Sequence, residues 1–175
     1  MRIKHCRFCC RAAMIAALYA SAGAGLSAEE NTLHLSTETS SGAVSMLRNG
    51  QPCWTYVPQS PEGKPYFHPL AIPGTGEAFT SHRPSDHVWH LGLWFSWKFI
   101  NGANFWEPDT NGVTRVIAQN VSWDNNQTLT AEAVLAYLVR GEEAVREKRT
   151  VRVDTEPDGD YTIAWNSLFT AQGKE

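Results

Sequence analysis

The sequence predicts an all-β protein, specifically an antiparallel β-sandwich. Three observations carry this. After the first 28 residues almost nothing has helical periodicity, strand-type alternation recurs, and short runs are bounded at even intervals by Gly, Pro, Asn or Ser.

The elements follow in order. Strands are expected at 31–37, 43–48 and 53–58, then at 92–100 and 113–123, each ending in turn-forming residues. In "LTAEAVLAYLV" the set Leu129, Ala131, Ala133, Leu135, Tyr137 and Val139 points one way, and the mostly apolar other face suits a strand covered on both sides. "AVREKRTVRVDT" sets Arg146, Lys148, Thr150 and Arg152 against Glu147, Arg149, Val151 and Val153, which reads as a strand with one wet face. In "EPDGD" Pro157 presets φ and Gly159 supplies a permissive backbone, so "YTIAWNSLFTA" should return as the second arm of a hairpin. "PGTGEAF" at 73–79 lacks Lys-Ser/Thr and a following helix, and reads as a glycine turn rather than a phosphate loop.

The ends bound the environment. Arg2, Lys4, Arg7 and Arg11 precede an alanine-rich apolar run from Ala12 to Leu26, the pattern of an export signal, with cleavage expected after Ala28 or Ala24. Residues 1–28 are therefore read as signal and 29–175 as one β-sandwich domain, exported to the periplasm or beyond, with no membrane span after cleavage. Cys6, Cys9 and Cys10 fall inside the signal, so Cys53 alone remains, and the mature chain can form no internal disulfide. Past residue 28 there are eleven basic and eighteen acidic residues, a formal charge of −7, which argues against nucleic acid as a partner. The chain stops at "QGKE" directly after a strand that should be well paired, so a truncated sandwich is expected. Asn120-Val-Ser122 and Asn126-Gln-Thr128 match the glycosylation pattern, which is common by chance.

Chemistry concentrates between residues 64 and 107. His68, His82, Asp86, His87 and His90 occur there with Trp89, Trp94, Trp97 and Trp106. Pro84, Ser85 and Asp86 favour a turn, which would bring His87 and His90 to one side, whereas an extended strand would separate them. Three readings compete. His68, His87 and His90 could act as general acid and base, with Asp86 orienting an imidazole. The same three could hold a divalent transition metal, although H-x-x-H alone is a weak signal. Or the histidines could be structural and the tryptophans core. By parity Leu93, Phe95, Trp97 and Phe99 form a core face, while Trp94 and Trp106, beside Lys98, Asn101, Asn104 and Glu107, form a platform for a pyranose. The partner is then a small molecule or glycan, with Trp94, Asn101, Trp106 and Glu107 binding it.

"PYFHPL" at 65–70, "DHVWHLGLWF" at 86–95 and "NGANFW" at 101–106 closely resemble the bacterial family catalogued as "methane oxygenase PmoA". Weaker similarity continues through "REKRTVRV" and "YTIAWNSLFTA". The resemblance implies an exported β-sandwich, an incomplete form of something similar to the mutarotase-like supersandwich, linked to carbohydrate use, with His68, Asp86, His87, His90 and Asn101 as the matching polar residues. Its label also implies a copper or iron oxygenase. Against that label, the chain after its signal has no segment able to span a bilayer several times, and neither cleavage choice leaves an N-terminal histidine for copper.

Overall fold

The computed structural model describes residues 32–38, 40–124 and 128–172. The expected export signal, with Cys6, Cys9 and Cys10, and Asn126 lie outside them. Among the described residues the regular structure is all β, in three antiparallel sheets.

The first sheet has five strands in sequential order: β1 (Leu33–Thr37), β2 (Val44–Arg48), β3 (Gln51–Val57), β4 (Tyr66–Leu70) and β5 (Leu93–Trp94). A two-stranded ribbon follows, β6 (Phe99–Ile100) with β7 (Ala103–Asn104). The second large sheet is a meander of long strands, β8 (Gly112–Asp124), β9 (Thr128–Val139), β10 (Glu142–Thr155) and β11 (Tyr161–Ala171), in the order β11-β10-β9-β8. The expected hairpin at 156–160 closes through hydrogen bonds from the Glu156 N–H to the Asp160 carbonyl and from the Gly159 N–H to the Glu156 carbonyl.

The sheets face each other across one core. Val44, Met46, Cys53, Trp54, Tyr56, Phe67 and Leu70 of the first sheet meet Leu129, Ala131, Val151 and Val153 of the second. All are buried, and this apolar area is what drives the layers together. The Trp54 indole N–H donates to Thr155 Oγ1 at 3.1 Å, so the largest core side chain leaves no polar atom orphaned. A second cluster forms where Ala103 and Phe105 pack on Ala133, Leu135 and Tyr137, so the ribbon covers the half of the second sheet that the first sheet does not reach.

On β9 the predicted inner face is the buried one from Leu129 to Tyr137, while the other face is mixed, with Ala136 and Leu138 buried and Glu132 exposed. On β10 the predicted wet face holds Lys148, Thr150 and Arg152 in solvent. Its other face buries Glu147 and Arg149 beside Val151 and Val153.

Two expectations need correction. The strand at 66–70 was not foreseen, because Pro65 stands just before it, Pro69 lies within it and "PYFHPL" has no clear alternation. The strand expected over 92–100 is instead two short pieces separated by an irregular stretch. Leu93 and Trp94 pair with Phe67 and Tyr66 of the first sheet. Phe95 and Trp97 then cross to Phe169 of β11, with ring centroids 5.3 Å away in both cases. A segment that serves two layers cannot keep one pleat, so the predicted core face of Leu93, Phe95, Trp97 and Phe99 does not exist: Leu93 is 37% and Phe99 60% exposed. Ser96 Oγ stabilises the crossing by donating to the Phe105 carbonyl at 2.5 Å.

Candidate functional site

β4 and the loop that follows it assemble the imidazoles. Tyr66 and His68 alternate on one face of β4, and His82 from the loop stacks between them, 5.4 Å from Tyr66 and 5.1 Å from His68. His68 Nδ1 lies 3.0 Å from Thr80 Oγ1, which also accepts the Leu70 N–H at 3.0 Å. With the Leu70 N–H on one lone pair, that hydroxyl can either donate its proton to Nδ1 or accept one from it, according to the His68 tautomer. Burial, then the neighbouring His82 and His90, pushes the His68 pKa below the usual imidazole range. His82 is lowered by burial and by Arg83, against an opposing pull from Glu62. Both rings are thus biased towards the neutral form, competent to accept a proton at neutral pH.

The turn expected at Pro84 is present. The His87 N–H bonds to the Pro84 carbonyl at 3.0 Å, and the His90 N–H to the His87 carbonyl at 2.9 Å. His90 lies on the site side: its Nδ1 accepts the Gly92 N–H at 3.1 Å, and its ring sits edge-on to Trp94 at 6.5 Å. Gly92 is required here. Its φ of +101° disfavours any other residue, and a Cβ would run into the Phe67 carbonyl.

Asp86 and His87 are held apart from this group. His87 Nδ1 is 3.1 Å from Asp86, both side chains are largely exposed, and the other ring neighbour of His87 is Trp89 at 5.4 Å. The hydrogen bond from His87 keeps the Asp86 carboxyl below its usual range. Neither side chain makes a hydrogen bond or ring contact with the side chain of His68 or His90. Among the described residues no group of three His, Cys, Asp or Glu side chains is arranged to hold a metal ion, so His68, His87 and His90 are not gathered as a ligand set. Cys53 is fully buried in the core, and burial raises its thiol pKa, which suits packing rather than nucleophilic work.

The aromatic residues divide differently from their parity. Trp94 and Trp106 do meet, with centroids 4.8 Å apart, but Lys64 Nζ also lies 4.8 Å from the Trp94 ring. That ammonium donates to the Phe105 carbonyl at 2.6 Å, and burial lowers its pKa to about 8. Glu107 is engaged by Lys98 and Asn104, which hold its carboxyl down, and Asn101 occupies the exposed β6–β7 turn at φ +48°.

What the sequence did not reveal is the hollow beside this group. A cavity of about 440 Å³ lies between the edge of the first sheet and β11, walled by Leu70, Phe79, Trp94, Phe95, Tyr161 and Trp165. Thr80, the partner of His68, and Gly92, the partner of His90, line it as well. The alternation of Tyr161, Ile163 and Trp165 marks an inner face, but nothing local in "YTIAWNSLFTA" says that this face meets open space.

The fold and site together define an antiparallel β-sandwich protein with an aromatic hollow between its sheets, two of whose lining residues, Thr80 and Gly92, hydrogen-bond His68 and His90. The chain belongs to DUF6807, a family of unknown function, whose model matches residues 43–175. No curated protein and no solved structure matches it.

Proposed function

We propose that this chain is an exported carbohydrate-binding protein, and that the hollow beside His68 and His90 takes the sugar. The observation that carries the reading is the joining of aromatic walls to imidazoles through Thr80 and Gly92. A pyranose offers an apolar C–H face to an aromatic ring and hydroxyls to the polar rim, and a largely apolar hollow with a few convergent polar groups fits that division. His68, neutral and oriented by Thr80, is the group suited to moving a proton on a bound sugar. Catalysis would rest on His68 and His90, while Asp86 and His87 would contribute at the surface. The resemblance to the methane oxygenase family adds the association with carbohydrate use. The oxygenase chemistry in its label draws no support from His68, His87 and His90, which are not grouped.

Calorimetric titration of the chain with a panel of neutral mono- and disaccharides tests the reading. Saturable binding is expected, weakened by Trp94→Ala and by Thr80→Val. Heats indistinguishable from dilution across the panel would sink it.

A further inference from the structure

We propose that Trp165 is the ring on which the occupant of the hollow stacks, and that Arg149, Glu147 and Ser167 are the positioning residues that hold it. The ligand class, a pyranose, rests on the carbohydrate reading above; the identity of the stacking ring does not.

Trp165 is on the inner face of β11 and forms part of the wall. Its ring is held from two directions. The Arg149 guanidinium lies 4.6 Å from the ring centroid, and the indole N–H donates to Ser167 Oγ at 3.1 Å. Each of these supports is itself fixed. Ser167 Oγ donates to Glu147 at 2.6 Å, and Glu147 takes a two-pronged ion pair from Arg149 at 2.7 and 2.8 Å and the Tyr137 hydroxyl at 2.6 Å. Glu147 and Arg149 are fully buried.

The strand register explains how this is built. Arg149 stands opposite Ser167 and Glu147 opposite Phe169, so on that face the two lie one and two rows from Trp165, which stands opposite Val151. A buried ion pair is commonly no more stable than apolar residues of the same size, so stability alone gives no reason to place one in this core. A specific geometry at Trp165 does. A ring already immobilised by its own chain loses little conformational freedom when a ligand stacks on it.

The other indoles fit the role less well. Trp94 lines the hollow but already carries Trp106 and Lys64 on its ring, and Trp106 does not line it. Trp97 packs on Phe95 and Phe169.

The test uses the full chain and two kinds of probe. Anilinonaphthalene sulfonate, followed by its fluorescence, reports on the hollow whatever the natural ligand. Methyl β-D-glucopyranoside and methyl β-D-galactopyranoside report on the sugar class. Trp165→Ala is expected to weaken probe binding by about tenfold or more, and Trp165→Phe, which keeps a ring and protects the fold, by a few-fold. Ser167→Ala is expected to shift the Trp165 indole N–H resonance and weaken binding by roughly threefold, with Ser167→Thr restoring both.

Sulfonate binding that is absent, or unchanged in Trp165→Ala and Trp165→Phe, overturns the inference. Glycoside binding that survives both substitutions overturns it too and leaves the carbohydrate reading standing. If neither glycoside binds the native chain while the sulfonate binds through Trp165, the inference holds and the carbohydrate reading for these sugars falls. A Ser167→Ala variant that loses stability but keeps native affinity and an unmoved indole resonance overturns the positioning role.

Discussion

Two groups of ionisable residues lie within one sandwich, and they behave oppositely. Under β11, Glu147 and Arg149 are sealed in the core and pair with each other, so burial, which disfavours the Arg149 charge, is outweighed by Glu147 and the guanidinium stays charged. Tyr137 and Tyr56 share this environment, and burial pushes the Tyr56 pKa up to about 12. On the loop after β4, His68 and His82 are only partly buried, have no anionic partner in direct contact, and are driven towards neutrality. A buried, paired network makes stability depend on its members. A half-exposed stack makes protonation depend on pH.

Removing one member of the sealed group should have the largest effect. Arg149→Met leaves Glu147 buried without its counter-ion and is expected to cost about 3–5 kcal/mol in urea denaturation. The double variant Glu147→Leu/Arg149→Met should recover most of that loss, because no lone charge remains. A double variant as unstable as the single one would show that packing, not charge, sets the cost.

In the loop, Gly92→Ala forces a side chain into left-handed backbone against the Phe67 carbonyl, at an expected cost of about 1–3 kcal/mol by thermal or chemical denaturation. Native stability would show that β4 and β5 can separate at no cost. Thr80→Val strands the Leu70 N–H and frees His68, a change of about 1–2 kcal/mol that the same melts would resolve.

The pH response should be smaller and belongs to the histidine group. His68 and His82 have pKa values lowered on folding, so the unfolded chain binds more protons. Their contribution is complete above the unfolded imidazole value, about 6.5, and is lost as pH falls through the lower folded values. Denaturation midpoints taken between pH 7 and pH 5 should therefore decline, and His68→Gln should flatten the decline. A slope that steepens in His68→Gln would reverse the assignment. Asp86→Asn, on an exposed pair, should leave the melting temperature unchanged, and a measurable drop would mean that the surface turn supports the site.

Much of the fold was legible in the residues. The long strands β8 to β11 kept their expected spans to within two residues, and β9 and β10 kept their expected faces, because alternation over eleven or more residues fixes which side meets the core. The turns at "EPDGD" and "PGTGEAF" followed from Pro and Gly alone. At the site, the turn at Pro84 was expected to bring His87 and His90 to one side; the turn is present, but His87 pairs with Asp86 at the surface while His90 bonds Gly92. Spacing could not show that His82, rather than His87, would lie against His68.

What the chain determined by itself was the local part: strand periods, turns, and the clustering of His and Trp within one stretch. These depend on neighbours a few residues apart, where side-chain direction follows from the backbone period. Only the packed structure decided that Phe95 and Trp97 leave the first sheet for Phe169, that Glu147 and Arg149 are sealed beneath Trp165, and that a hollow opens between β5 and β11. The first and last join segments roughly seventy residues apart and are set by how two twisted sheets fit, and the second depends on which hairpin face that fit closes over, which no local pattern encodes.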